Sequence, residues 1–379
     1  MPKAKPSRAR VAKKPPRARA AKKAPARAVS RSAKPGKKRG GPAPESVVIR
    51  ASVSHFPTGF IPTAHLIQRE HPHRVFDLRE RRGMGAKYVH LAAADEDPSV
   101  LAIAVAQKAL ERAGLDADDL DLLVSASCTP PDYDMWSLPA KVAEQIGARR
   151  AECLGVGDAG CASAFAALRL LLPVLRDPDG PRRALLFNAS ITPGSHFIPP
   201  YTIFGDGAGA IVLERTRERT AGARVVRADF RSHPQFIEAF RCNAGLRQLR
   251  KQGKLEPVDW TVNPLDTDLV RGLAEEGLDL CLNGMRDSLA KAGWTIDQLR
   301  WLITDNVATS STEEIAAGLG VPEDRTLYEN CSRYGHAWVV DLFANLETVL
   351  HERDPQPGDR IACTGAGLGE HFGVLLLEV

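Results

Sequence analysis

The chain reads as an α/β protein built from two similar series of strands alternating with helices. Three observations predict that class. Short apolar runs of strand length alternate with stretches of helical period. Glycines stand where the helices should end. The chain is also large enough, at 379 residues with 44% hydrophobic, to bury a substantial core. Strands joined through helices imply βαβ units and mainly parallel sheets.

The body starts at Ser46. Residues 46–54 read as a strand carrying Val47, Val48 and Ile49. Residues 98–114 have helical spacing and end at Gly114, a natural C-cap. A short apolar strand at 121–127, a helix at 136–147, a strand at 152–160 and a strong helix at 161–175 follow, then strands at 184–190 and 208–213. The second series has the same order. It has a strand at 225–230, a helix at 268–293, a strand at 300–306 and a helix at 311–319. A long helix at 336–351 and closing strands at 360–367 and 374–379 complete it. This division suggests an internal duplication, with halves 46–222 and 223–379.

Residues 1–45 are set apart by composition, being almost entirely Lys, Arg, Ala, Pro and Ser. Such a segment cannot bury enough surface to offset its ordering entropy, so disorder is expected. Residues 1–44 carry 16 of the 51 Lys and Arg and no acid, so the rest holds 35 bases against 46 acids, a net charge of −11. The tail reads either as a solubilising extension or as a tether to an acidic partner, nucleic acid or carrier protein. No apolar run approaches the roughly 18 residues that a membrane span needs, and none follows the basic N-terminus as a secretory signal would. The seven cysteines are odd in number and form no CxxC pair, so neither a disulfide framework nor a zinc site is expected. A reducing cytoplasm is the natural setting.

Cys161 stands between the Gly-rich end of a strand, LGVGDAG, and the helix ASAFAALRLLL. A thiol at a helix N-terminus has its thiolate stabilised, which lowers its pKa and suits a nucleophile. A buried inert cysteine is the other reading of the same position.

Further motifs bear on that choice: LERAGLDADDLDLLVSASCTPPDY at 110–133, GCASAFAAL around Cys161, FGDGAGAIVLE at 204–214, NCSRYGHAWVVD at 330–341 and GDRIACTGAGLGEHFG at 358–373. In this order and at these distances they resemble the β-ketoacyl-acyl-carrier-protein synthase III family of the thiolase superfamily, from about Ser46 to Val379. The resemblance implies a thiolase fold, five αβαβα layers in two duplicated halves, and a homodimer. It implies ping-pong chemistry with Cys161 as acyl acceptor and with acyl-CoA or an acyl carrier protein as donor. No tightly bound cofactor or metal is implied.

Two departures from that family are informative. Its synthases place a His after the strand that here reads WLITDNVA, and an Asn in the loop that here reads RYGHA. Both donate hydrogen bonds that drive malonyl decarboxylation. This chain has Asp305 and His336 at those positions. An ionised Asp305 only accepts hydrogen bonds and would repel the enolate that condensation develops. An Asp beside a His instead suits general-base catalysis. The pattern is similar to a subgroup of synthase III-like acyltransferases of natural-product pathways with a Cys–His–Asp triad. The expectation is thus acyl transfer from Cys161 to a hydroxyl or amine, without decarboxylation, with His336 as base and Asp305 as its partner. Asp341, five residues beyond His336 in the expected helix, is set aside because i and i+5 share no helical face. The alternatives are a decarboxylating condensing enzyme with a rearranged Cys–His pair, and a non-catalytic scaffold tethered by the basic tail.

Backbone N–H groups of Cys161, Gly367 and Leu368 are the expected oxyanion hole. Met135 and Trp136 match the loop that in the family shapes the acyl tunnel, often across the dimer, and their bulk argues for a short acyl group; packing at a dimer interface is the other reading. Arg81, Arg82 and Lys87 are candidates for the phosphate of the donor's phosphopantetheine arm. Ser163, His196, His371 and Asn306 are lesser candidates for site roles.

Overall fold

A computed structural model describes residues 45–379 apart from 74–82, 199–201, 219–220, 243–261, 265 and 369. The tail expected to be disordered lies, but for Glu45, outside the described residues, as do Arg81 and Arg82. The main strands are β1 (Ser46–His55), β2 (Leu122–Ala126), β3 (Glu152–Val156), β4 (Arg183–Ser190), β5 (Gly207–Thr216), β6 (Ala223–Ser232), β7 (Leu299–Ile303), β8 (Arg360–Gly367) and β9 (His371–Glu378). The helices used below are α1 (Thr63–Glu70), α2 (Pro98–Ala113), α3 (Leu138–Ile146), α4 (Ser163–Arg176), α5 (Thr267–Ala292), α6 (Thr309–Leu319), α7 (Glu329–Tyr334) and α8 (Val340–Glu347).

The nine strands form one mixed sheet in the order β7-β8-β9-β6-β1-β5-β4-β2-β3. Only β2/β3, β2/β4 and β7/β8 run parallel, which corrects the mainly parallel expectation. The reason is the connections. Strands joined through a helix pair parallel, but β8 and β9 are joined by a short turn, which reverses the chain, and β1 lies antiparallel to both β5 and β6. The two ends of the sheet meet at β1 and β6 through just two residue pairs, Val48 with Arg224 and Ile49 with Ala223.

Both faces of the strands are buried, and alternate residues point to different layers. Leu186, Ile211, Ile361 and Leu375 face a central cluster with Phe165 and Leu168 of α4 and Phe343 and Leu346 of α8. Leu185, Phe187 and Val212 face an outer cluster with α2 and α3. Leu302, Ala362 and Leu376 face the other outer cluster with α5 and α6. The layers are therefore αβαβα, with α4 and α8 in the middle. Each fully buried aromatic of that middle layer contributes roughly 1.5–3 kcal/mol. Strand glycines let it close up: a Cβ on Gly209 would sit 2.6 Å from Phe343, and one on Gly373 2.2 Å from Phe165.

The sequence also predicts one long helix over 336–351. The structure begins α8 only at Val340 and ends the segment in a π turn at Thr348–Glu352. Gly335 takes φ 65°, ψ −154° and Trp338 takes φ 59°, so residues 335–338 cannot be helical. This change decides the partner of His336.

Candidate active site

Cys161 lies in a tight 3-10 turn, Gly160–Ala162, immediately before α4. Gly160 has φ 53°, and a Cβ there would come within 2.5 Å of the Leu368 nitrogen. A Cβ on Gly367 would sit 3.0 Å from the Cys161 nitrogen. The nucleophile turn and the Gly-rich turn are in backbone contact, so Cys161, Gly367 and Leu368 are brought together as the sequence predicts. Ser163 is no rival nucleophile: its hydroxyl donates to the carbonyls of Gly160 (2.8 Å) and Ser127 (3.3 Å), fastening the turn.

His336 reaches the thiol from the other half. Its backbone N–H donates to Ile203 O (2.9 Å) and its carbonyl accepts from Gly205 N–H (3.0 Å), so it is laced to 203–205 as a short β-bridge. Nε2 of His336 lies 3.1 Å from Cys161 Sγ. On the far side of the ring, Nδ1 lies 2.5 Å from Asp341 Oδ2. That carboxylate also accepts from Asn306 N–H (2.7 Å) and Ala337 N–H (2.8 Å). It offers only acceptors, which assigns the imidazole proton to Nδ1 and turns the Nε2 lone pair toward the thiol. Asp341, not Asp305, is therefore the carboxylate bonded to His336. The helical spacing used to set it aside does not apply, because the backbone between the two residues is not helical.

Asp305 follows β7 and sits on the other wall of the site. Its Oδ2 accepts one hydrogen bond, from Ala366 N–H (2.7 Å), and the residue keeps part of its surface open. Burial pushes its carboxyl up to about 7, against the pull of His336 and the Ala366 N–H and with the help of Asp341. Burial also opposes charge on His336, yet Asp341, its hydrogen bond and Asp305 hold the imidazole above its ordinary pKa.

Cys128 is not among the residues that sequence reasoning selects. It follows β2, packs into the cluster that holds Cys161, and its thiol faces that of Cys161 beside the Val339 N–H and Ser190. The shared hydrogen bond, with burial, pushes the Cys161 thiol well up. The direction is opposite to the lowering expected of a helix N-terminus, and its causes are Cys128 first, then burial and the charges of Asp305 and Asp341. A proton-accepting neighbour is then required, and His336 is the one in reach.

A second undetected feature is a buried amide cluster. Asn345 Nδ2 donates to Thr304 O (2.9 Å) and Asn306 Oδ1 (3.1 Å), and Asn330 Nδ2 donates to Asn345 Oδ1 (2.9 Å). It holds the Asn306 backbone that donates to Asp341. The role expected of Asn306 is thus carried by its backbone.

Met135 and Trp136 stand apart from Cys161 within one chain. Met135 is fully exposed, and Trp136 packs against the outer α2–α3 cluster with Tyr133 edge-on at 5.6 Å. Neither reaches Cys161 within this chain, because the loop they occupy runs over the outer layer. The residues packed around the thiol are instead Ile198, Phe204 and Trp338. Lys87 is exposed, its backbone tied to Ser332 and Thr63.

His196 is held between Glu70 Oε1 (3.1 Å) and Asp206 Oδ1 (3.7 Å). Burial opposes its charge, but the two carboxylates override it and push it up to about 9, too high for a base near neutral pH. His371 shares a hydrogen bond with Ser232 Oγ (2.8 Å) and stacks on Phe230. Among the described residues no group of three or more His, Cys, Asp or Glu could hold a metal, and no helix is long and apolar enough to cross a membrane.

Comparison with known proteins gives a consistent answer. The family model described as 3-oxoacyl-[acyl-carrier-protein (ACP)] synthase III C terminal matches residues 289–379. Among curated relatives, a β-ketoacyl-[acyl-carrier-protein] synthase III of Clostridium novyi is 25% identical over 310 residues, 79% of this chain and 89% of that protein. One of Thermosynechococcus vestitus is 27% identical over 312 residues, again 79% and 89%. Among solved structures, ChlB3, described as an acyltransferase, has a TM-score of 0.73 at 22% identity, covering 88% of this chain and 98% of that one. The priming β-ketosynthase of the R1128 polyketide pathway has a TM-score of 0.75 at 18% identity, covering 91% and 99%. With its αβαβα layers and its cysteine at the head of the central helix, the chain has the thiolase fold, and over about four fifths of its length it is similar to β-ketoacyl-acyl-carrier-protein synthase III.

Proposed function

We propose that the protein is an acyltransferase that takes an acyl group from a carrier-protein or CoA thioester onto Cys161 and passes it to a hydroxyl or amine of a small acceptor, without decarboxylation. The observation that carries this reading is the line Cys161–His336–Asp341, with a carboxyl at Asp305 where a condensing enzyme needs a donor. In loading, His336 Nε2 takes the Cys161 proton, the sulfur attacks the thioester carbonyl, and the carrier thiol leaves with that proton. In transfer, the acceptor O–H or N–H gives its proton to the base, its heteroatom bonds the acyl carbon, and Cys161 leaves as the thiol. The backbone N–H groups at Cys161 and Leu368 would stabilise the oxyanion of both steps. Asp341 fixes the imidazole tautomer and balances imidazolium. Asp305, titrating near neutral pH, is suited to proton transfer on the acceptor side. A natural-product setting and a homodimer complete the reading, in keeping with the acyltransferase and polyketide relatives of the same fold.

The second reading is decarboxylative condensation. Its support is that a protonated Asp305 can donate one hydrogen bond to a malonyl thioester. The test supplies an acyl-carrier thioester with and without malonyl-carrier, and follows carbon dioxide and product mass. Acyl ester or amide without carbon dioxide is expected. Carbon dioxide release coupled to a ketoacyl product would overturn the proposal. Cys161→Ala should abolish the covalent acyl adduct in intact-mass spectra.

A further inference from the structure

The cluster around the thiol is tight. Cys161 is 7% exposed, Ile198 8%, Phe204 3% and Trp338 8%. An acyl group carried on Cys161 must lie among these side chains, and Trp338 is the largest of them.

Trp338 is also the most firmly fixed. Its indole stacks on Phe204 with ring centroids 3.9 Å apart and planes 7° off parallel. Its Nε1–H donates to Thr192 Oγ1 (3.1 Å). Phe204 in turn packs on the His336 ring at 5.3 Å, and its N–H donates to His196 O (2.6 Å). The backbone of Trp338 has φ 59°, a left-handed conformation that is rare for a bulky residue and persists only where the surroundings impose it. Stacking, an anchored ring nitrogen and a strained backbone all act on one side chain beside the nucleophile. Packing alone accounts for the stack, but gives no reason to spend a strained conformation on holding an indole there.

The geometry points to Trp338 as the specificity-determining wall that restricts the acyl group on Cys161 to short linear chains, acetyl to butyryl in size. This rests on the reading that Cys161 carries an acyl group. It moves the chain-length function from Met135 and Trp136 to a residue on the His336 loop, so the base and the acyl wall are one rigid unit.

The experiment measures loading of Cys161 by intact mass from acetyl-, butyryl-, hexanoyl- and octanoyl-CoA. The wild type should load the first two, with kcat/KM falling about tenfold or more for each added pair of methylenes beyond butyryl. In Trp338→Gly, where glycine takes φ 59° without strain, hexanoyl and octanoyl should gain at least tenfold relative to acetyl. Trp338→Phe should keep the wild-type order, and Thr192→Val should shift it part of the way. A wild type that loads octanoyl as readily as acetyl overturns the inference whatever the variants do. So does a folded Trp338→Gly whose preference is unchanged. Failure of every donor to load wild-type Cys161 would instead overturn the acyltransfer reading, and this inference with it.

Discussion

The site holds two aspartates whose charges act on His336, and they are built differently. Asp341 is 1% exposed and its carboxylate meets three N–H groups, from Asn306, Ala337 and the imidazole. Asp305 is half-buried and meets one, from Ala366. The number of donors separates their roles. A carboxylate met by three donors is an anchor, fixing the direction of a ring. One met by a single donor keeps capacity to exchange a proton, and burial brings its pKa to about 7.

The contrast breaks most severely at Asp341. Asp341→Asn keeps the shape but offers a donor to Nδ1, which favours the wrong tautomer. Single-turnover loading of Cys161 should fall about 10³- to 10⁴-fold. A loss below tenfold would mean that the anchor is elsewhere. Asp305→Asn should leave loading largely intact and slow transfer to the acceptor about 10²-fold. Transfer by the wild type should rise with pH around a midpoint near 7, and the variant should lose that limb. Equal loss in both steps would erase the distinction between the two aspartates.

Stability gives a smaller measure of the same contrast. Asp305 has a folded pKa raised above its unfolded value, so its contribution is fully present below the ordinary carboxylate range and is lost as pH rises through about 7. Asp305→Asn should therefore melt higher than wild type at pH 8 and alongside it at pH 4, read by thermal denaturation. His196 provides the smallest effect. Its pKa is raised to about 9, so the stabilisation it draws from Glu70 and Asp206 is present below the ordinary imidazole range and is lost as pH rises through about 9. Wild type should lose melting temperature between pH 8 and 10 more steeply than Glu70→Gln.

Much of this architecture was legible in the residues. Gly114, Gly147 and Gly293 end α2, α3 and α5 in left-handed caps, and the paired series of strands fall where apolar runs predict them. Cys161 and His336 were found because each sits in a motif. The partner of His336 was missed through one wrong element. HAWVVDLFANLETVLHE has helical period throughout, but Gly205 and Ile203 bind the backbone of His336 and hold it extended. Tertiary hydrogen bonds overrode local propensity, and the i+5 objection to Asp341 disappeared with the helix. Cys128 carried no signal, because its closeness to Cys161 arises from the pairing of β2 with β3, a long-range fact.

The 175 residues that separate Cys161 from His336 bear on how the protein folds. The thiol on one side, and its base and the Gly367 turn on the other, come from different halves of the chain, and such distant contacts must first meet the entropic cost of loop closure. A nascent or half-folded chain can complete α4 and its strands while the sulfur still has no base beside it. Docking of the two ends of the sheet across β1 and β6 thus doubles as the event that arms the nucleophile.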